Sequence, residues 1–448
     1  MNAASSETIL YGYALLWLLT LVVYQVRKRT FDAGSLLLGS YSVYSVLSIL
    51  LFRSEYYPFE PIRVMPFVYL YGMLMLAFYP VLRFDSSHIA AIQRPSSWVL
   101  VPICFVFIGA ALSQLPSIVS GFVESLVRLL TTPTGGQDLY NEAMAESYGL
   151  GDGSIANLAS IITNAYGNFG VLLLFYYVTL ERKSRLIAGG LLLSCIIGII
   201  QNVMLGQRGP IQEALFAFVL TYLAVRRWYS PRLNRAVKIA GLIIALAAAV
   251  PLVYLTASRF GASEDGGVNS TLFYLGQQNL FFNNYGLDNN GIRYGDRTVP
   301  LFKRMLGFDG VPSNFHERRE KYPNLRINDE VFIGFAGDWV LDFGAFIAPL
   351  LFVAFSGLVL LGSRLRDGTI RFHQLVLLHF VMTVGMLGGI KLYPYSDVGG
   401  NLQLIVYLGA YVVFFVDHDL MRRYRRRREA VSSAVIPAST SITAESPT

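Results

Sequence analysis

Long apolar stretches alternate with polar ones along the whole chain. About eleven of these stretches have the length, roughly 17 to 25 residues, that crosses the hydrocarbon core of a bilayer as a helix. They cover residues 9–26, 33–52, 65–82, 98–115, 155–180, 186–205, 210–225, 237–256, 340–361, 373–390 and 401–416. The pattern predicts an all-α integral membrane protein, a polytopic bundle of about 11 transmembrane helices.

Two polar connections, residues 116–154 and 257–339, are far longer than ordinary connections. The second is called the large loop below. Long connections on a rigid scaffold often carry function, so we expect a functional site there. The 116–154 connection opens with IVSGFVESLVRLL, whose apolar residues share one helical face, and this pattern predicts a short helix lying in the membrane interface. A similar interfacial helix is expected over Leu272 to Phe282.

Composition and charge agree with this topology. The chain is 54% hydrophobic and only 15% charged, which is too apolar for a soluble globular protein. Its net charge of +7 arises largely from alternate loops and the Arg-rich stretch 421–428, which the positive-inside rule places in the cytoplasm. The amino terminus, the 116–154 loop and the large loop are then outside. The charge thus indicates topology and contact with membrane lipids, not nucleic acid, and residues 429–448 are expected to form a disordered cytoplasmic tail.

Two arginines at the outer ends of predicted spans are candidates for phosphate binding. Arg208 lies in GQRGP, just before a helix predicted to begin at Pro210, and Arg259 lies just past the outer end of another span. A guanidinium presents a fork of donors that matches phosphate oxygens, and a helix start adds exposed backbone donors. Together these residues could clamp a lipid-linked pyrophosphate, or each could instead anchor the protein at the lipid headgroups.

The end of the large loop holds the candidate bases. Arg326 is followed by Asp329 and Glu330, and His316 is the one histidine on an outer loop. A neutral imidazole or a carboxylate near phosphate-binding arginines could deprotonate a sugar hydroxyl. The other basic residues of this loop are balanced by acids, so we expect them in solvated surface ion pairs. These include Arg293, Arg297, Lys303, Arg304, Arg318, Arg319 and Lys321.

Other kinds of chemistry lack a pattern in this sequence. It contains no carboxylate trio, H-E-x-x-H motif or phosphate-binding P-loop, and its two cysteines, Cys104 and Cys195, fall inside predicted spans. We therefore expect no metal and no cofactor. Few ionisable residues interrupt the span centres, which argues against an ion-coupled transporter.

The G-x-R of Gly206 to Arg208, the late large loop and the D-W-V-L-D-F-G of Asp338 to Gly344 resemble the Wzy-type O-antigen polymerases, also called oligosaccharide repeat unit polymerases. The spacing from Arg326 to Gly337 also fits the R-x10-G pattern described in the large loops of that family. The 116–154 loop has no second copy of it.

The resemblance implies a GT-C-like helical scaffold in the bacterial inner membrane, with the large loops in the periplasm. A glycan on undecaprenyl pyrophosphate would be transferred to a lipid-linked repeat unit to build O-antigen or exopolysaccharide, without a metal or nucleotide sugar. Arg208, Arg259 and Arg326 would stabilise the departing pyrophosphate, and Asp329, Glu330 or His316 would act as base. A chain-length regulator is a partner that the resemblance allows. The alternatives are an O-antigen ligase or other lipid-linked glycan transferase, and a lipid-linked oligosaccharide flippase or transporter.

Overall fold

The computed structural model describes residues 3–86, 89–132, 134–148, 155–207, 209–260, 268–329, 331–365, 368–391 and 395–435. Helices dominate this part of the chain. In its first half they are α1 (Ala3–Lys28), α2 (Ala33–Arg53), α3 (Val64–Arg83), α4 (Ser97–Leu112), α5 (Leu115–Thr131), α6 (Gly135–Tyr148), α7 (Ile155–Tyr177), α8 (Arg185–Met204) and α9 (Gly209–Val225). In its second half they are α10 (Pro231–Phe260), α11 (Val268–Phe281), α12 (Pro300–Met305), α13 (Phe315–Lys321), α14 (Gly334–Gly362), α15 (Phe372–Leu387) and α16 (Asp397–Val435).

The predicted all-α membrane bundle is confirmed at this level. Within the described ranges, eight helices are long and apolar enough to cross a membrane, and a ninth results if α4 and α5, which meet at a 44° bend, form one span. Each of the eleven predicted segments overlaps a helix, but α4, α9 and α15 are shorter than the helices of the other segments, with 16, 17 and 16 residues. Helix α16 runs on to Val435, so residues 429–435 of the expected disordered tail are helical, and residues 436–448 lie outside the described residues.

The predicted charge alternation corresponds to two ends of the bundle. At one end, called the basic end, Lys28 pairs with Asp85, and the three-residue strands β1 (Ala91–Gln93) and β2 (Thr369–Arg371) pair in parallel. At the other end, called the large-loop end, Glu7 pairs with Arg53, and Arg63 donates to the carbonyl oxygen of Asn283. Loops that the sequence assigns to one side therefore contact each other in the fold.

The large loop is more deeply embedded than its polarity suggests. Helix α11 packs against α2, where a Cβ added at Gly276 would lie 2.8 Å from the carbonyl oxygen of Leu47. The Asn279 amide donates to the Ser48 hydroxyl at 3.0 Å. Gly276 to Phe281 are buried. The segment Leu272 to Phe282 is helical, but the expected interfacial position is wrong for its second half, because the protein itself covers it.

Helix α14 is broken where it leaves the large loop. Gly344 has φ 83° and ψ 162°, a conformation outside any helix, so Gly334 to Phe343 form a separate short segment. Asp338 and Asp342, one turn apart in this segment, project from the same face and are both fully buried. The break thus separates a short segment carrying buried acids from the apolar remainder of α14.

The interior also contains a hydrogen-bonded histidine, His379 on α15. Its Nε2 is 2.7 Å from the Thr221 hydroxyl, and its Nδ1 is 2.8 Å from that of Tyr407. Because the Thr221 hydroxyl donates to the Ala217 carbonyl oxygen at 2.6 Å, it accepts from Nε2–H. The geometry therefore assigns a proton to Nε2, and both ring nitrogens have a hydroxyl partner.

Replacing Thr221 with valine is expected to destabilise the protein by about 1–3 kcal/mol, because it leaves the buried Nε2–H without an acceptor. Thermal unfolding of the purified protein in detergent measures this loss. Thr131→Val is the matched control, since the Thr131 hydroxyl makes the same kind of bond to a backbone carbonyl on an exposed helix. Equal melting temperatures for the two variants would contradict the assignment.

Candidate functional site

Arg293, at the large-loop end, is the centre of a buried ionic network. Its Nε donates to Asp342 at 2.6 Å, its Nη1 to Asp329 at 2.8 Å and its Nη2 to Asp338 at 3.1 Å. The side chain is fully buried. Each nitrogen of the guanidinium therefore has a carboxylate partner, and one residue fastens the end of the large loop to the short first segment of α14.

Two more arginines complete what we call the arginine–aspartate network, which comprises Arg293, Arg297, Arg318, Asp329, Asp338 and Asp342. Arg297 donates from Nη1 to Asp329 at 3.2 Å, and its Nε lies 3.3 Å from Asp338. Arg318 donates to Asp329, and also to Asp397 at 3.2 Å at the more exposed edge. Within the six residues three positive charges face three negative ones, so the network has no net charge to attract an anion. Its geometry indicates a structural role, in which it holds the end of the large loop against the first segment of α14.

The expectation that the basic residues of the large loop are solvated is therefore wrong for Arg293, Arg297 and Arg318, which are all buried. Sequence reasoning treated them as surface residues because acids and bases are mixed throughout the loop. A signal was present in the spacing: Arg293 with Arg297, and Asp338 with Asp342, are each four residues apart. The sequence did not indicate that the two pairs meet.

Asp329, a predicted base, belongs to this network. Burial raises the pKa of its carboxyl, but the charges of Arg293, Arg297 and Arg318 outweigh burial and lower the pKa well below its ordinary value. A carboxylate held so firmly in its ionised form is a weak proton acceptor. The geometry therefore makes Asp329 an ionic partner of the arginines and a poor candidate for the base.

Arg326 and His316 lie apart from the network. Arg326 donates to Asp288 at 2.5 Å and to Glu60, so it ties the large loop to the 54–63 connection at a partly exposed position. His316 is exposed on α13, two residues before the buried Arg318. Of the predicted site residues whose side chains the structure describes, the network therefore includes only Asp329.

The structure does not describe the side chains of the other three predicted residues. Arg208 and Glu330 lie outside the described residues. Arg259 is in the last turn of α10, but its side chain is outside the described ones. Their roles stay predictions. The described residue that follows Arg208, Gly209, begins α9, as the position of Pro210 predicts.

A second group of polar residues surrounds the first turns of α9. Glu213 forms an ion pair with Lys391, accepts from the Asn168 amide at 2.8 Å, and has Gln403 beyond that amide at 3.5 Å. These four residues, on or beside α7, α9, α15 and α16, are called the glutamate–lysine cluster. Glu213 and Lys391 keep 13% and 16% of their side-chain surface exposed, whereas the aspartates of the arginine–aspartate network keep at most 4%. The cluster is therefore the more accessible of the two charged sites.

The sequence does not bring the members of this cluster together. Glu213 follows Arg208 by five residues, whereas Lys391 directly follows the apolar stretch 373–390. Their pairing joins positions 178 residues apart in sequence, and Asn168 comes from a third helix. No local spacing indicates such a contact.

The fold and the two charged sites define a helical membrane protein with two charged clusters toward the large-loop end of the bundle. No family model, curated protein or solved structure matches this chain.

Proposed function

We propose that the protein is a glycosyltransferase that polymerises oligosaccharide repeat units carried on undecaprenyl pyrophosphate. The proposal includes a GT-C-like scaffold of about eleven spans, as the Wzy-type resemblance implies. The glutamate–lysine cluster is the observation that supports it best. This cluster places a carboxylate and an ammonium group together inside the bundle, and Glu213 follows Arg208 by five residues in sequence.

The depth of the cluster suits such a substrate. Glu213 is four residues beyond the start of α9, which corresponds to about 6 Å along the helix axis. The pyrophosphate of a lipid carrier lies at the membrane interface with its tail in the hydrocarbon, so a group slightly below the helix ends can reach it. Arg208, immediately before α9, would contact the pyrophosphate, and the start of the helix would add backbone donors.

The two loops above the bundle would complete the site. The arginine–aspartate network holds the end of the large loop over α14, and α5 presents Val119, Val123 and Val127 on one exposed stripe. An amphipathic helix of this kind suits the interface, where it would border the path of the carrier lipid. By the positive-inside rule the basic end is cytoplasmic, so polymerisation would occur at the periplasmic face of the inner membrane.

Deleting the gene and restoring it tests the activity directly. We expect single repeat units on the surface glycan of the deletion strain, and long chains again after complementation. Long chains that accumulate unattached on the carrier would indicate a ligase instead. Loss of all glycan at the outer face would indicate a flippase, and unchanged chains would overturn the proposal.

Arg208→Lys tests the phosphate contact. Lysine keeps the charge but lacks the fork of donors, so the polymerisation rate should fall by about 100-fold, similar to the loss of one donor that stabilises a transition state. Chain length on the complemented strain is the measurement. Arg128→Lys is the control, since the Arg128 guanidinium forms a forked pair with Glu142 at the protein surface. Full-length chains with Arg208→Lys would remove Arg208 from the site.

A further inference from the structure

None of the predicted site residues that the structure describes in full is a carboxylate that is both partly accessible and held inside the bundle. Three guanidinium groups hold Asp329 in its ionised form. The guanidinium of Arg326 has only donors and cannot accept a proton. His316 is exposed on α13, outside both charged clusters. A carboxylate that is partly accessible and lies inside the bundle is a better candidate for the base.

Glu213 meets these requirements. Asn168 holds its Oε1 and Lys391 holds its Oε2, so the orientation of the carboxylate is fixed from two sides. Among the described residues one cation, Lys391, pairs with it, in contrast to the three that pair with Asp329. Part of its surface remains open, as a group that exchanges a proton with a substrate requires.

We propose that Glu213 is the general base of the glycosyl transfer and that Lys391 neutralises the leaving pyrophosphate. This inference rests on the proposed function. The acceptor hydroxyl would give its proton to Glu213 while its oxygen forms a bond to the anomeric carbon of the donor sugar. The bond between that carbon and the pyrophosphate oxygen breaks, and the pyrophosphate departs with the electron pair.

The ion pair gives these two events a physical link. While Glu213 is ionised, the Lys391 ammonium is directed to its carboxylate. Once Glu213 accepts the proton it becomes neutral, and the ammonium loses that attraction as negative charge grows on the leaving group. The Lys391 ammonium can then turn to the pyrophosphate and stabilise its growing negative charge. Deprotonation of the acceptor hydroxyl and departure of the pyrophosphate are linked in this way. Asn168 and Gln403 serve as positioning residues.

Single repeat units extracted from the deletion strain provide the substrate for a test on the purified full-length protein in lipid nanodiscs. Glu213→Gln should lower kcat by at least about 100-fold with little change in KM, the usual range for loss of a general base. Lys391→Met should lower kcat too, whereas Lys391→Arg should retain much of it. Glu7→Gln is the matched control, because Glu7 forms an exposed pair with Arg53 at the same end of the bundle.

Exchanging the two charges separates catalysis from folding. In Glu213→Lys with Lys391→Glu the pair can form again, so the melting temperature should approach that of the wild-type protein while elongation stays absent. Recovery of elongation in this double variant, or normal kcat in Glu213→Gln, would show a structural pair and overturn the assignment while leaving the proposed function intact. A wild-type protein that fails to elongate the repeat units would overturn both.

Discussion

Replacing Arg293 with methionine is expected to cause a large loss of stability. The variant would leave Asp329, Asp338 and Asp342 buried with one cation fewer between them, and these three carboxylates lie within 3.1 Å of the guanidinium nitrogens. Removing one partner from a buried ionic network typically costs about 3–5 kcal/mol, because the remaining charges stay desolvated. We expect little or no folded protein in the membrane.

The amount of detergent-extractable monodisperse protein and its thermal unfolding measure this effect. Arg53→Met is the control, since Arg53 also pairs with a glutamate at the large-loop end but remains half-exposed. Its melting temperature should change little. A normal yield and melting temperature for Arg293→Met would mean that the network does not hold the large loop in place.

Gly344→Ala is the second change with a large expected effect. At φ 83° and ψ 162° the backbone adopts a conformation that is essentially restricted to glycine. The nearest atom to an added Cβ is in Ile292 at 3.6 Å, an ordinary contact, so the cost arises from the backbone and not from a clash. We expect a loss of about 1–3 kcal/mol and lower activity, because the break in α14 orients Asp338 and Asp342 toward Arg293.

Gly357→Ala provides the comparison within the same helix. Gly357 is in the helical part of α14, and a Cβ added there meets no atom within 4 Å. Alanine at that position should leave the melting temperature unchanged or raise it slightly. If both alanine variants unfolded at the same temperature, the break at Gly344 would not depend on glycine.

The periodic features of the sequence predicted the framework of this fold. Apolar length alone predicted the eight helices of the described residues that are long and apolar enough to cross a membrane, whereas three of the eleven predicted segments form shorter helices. The charge alternation grouped loops that contact each other in the fold. Both signals are local and repeat along the chain, so they can be read without knowing the fold. The position of Pro210 likewise indicated the start of α9.

The charged sites could not be predicted in this way. Arg293 and Glu213 have many polar residues near them in sequence, and only the folded chain determines which of these become partners. Burial was the missing information. Arg326 is prominent in sequence yet partly exposed, whereas Arg293 and Arg297 looked ordinary and are buried. Local composition cannot separate these cases, because burial depends on contacts between distant segments such as α11 and α2.

The arginine–aspartate network also determines how the large loop responds to salt. Contacts between exposed charges weaken as ions screen them, and the pairs of Arg326 with Glu60 and Asp288 belong to that kind. Ions cannot enter a network whose side chains are nearly or fully buried, so its attraction changes little with ionic strength. A rise in salt should therefore loosen the outer attachments of the loop while its base remains fixed. The loop would then keep its place over the bundle in both dilute and concentrated surroundings.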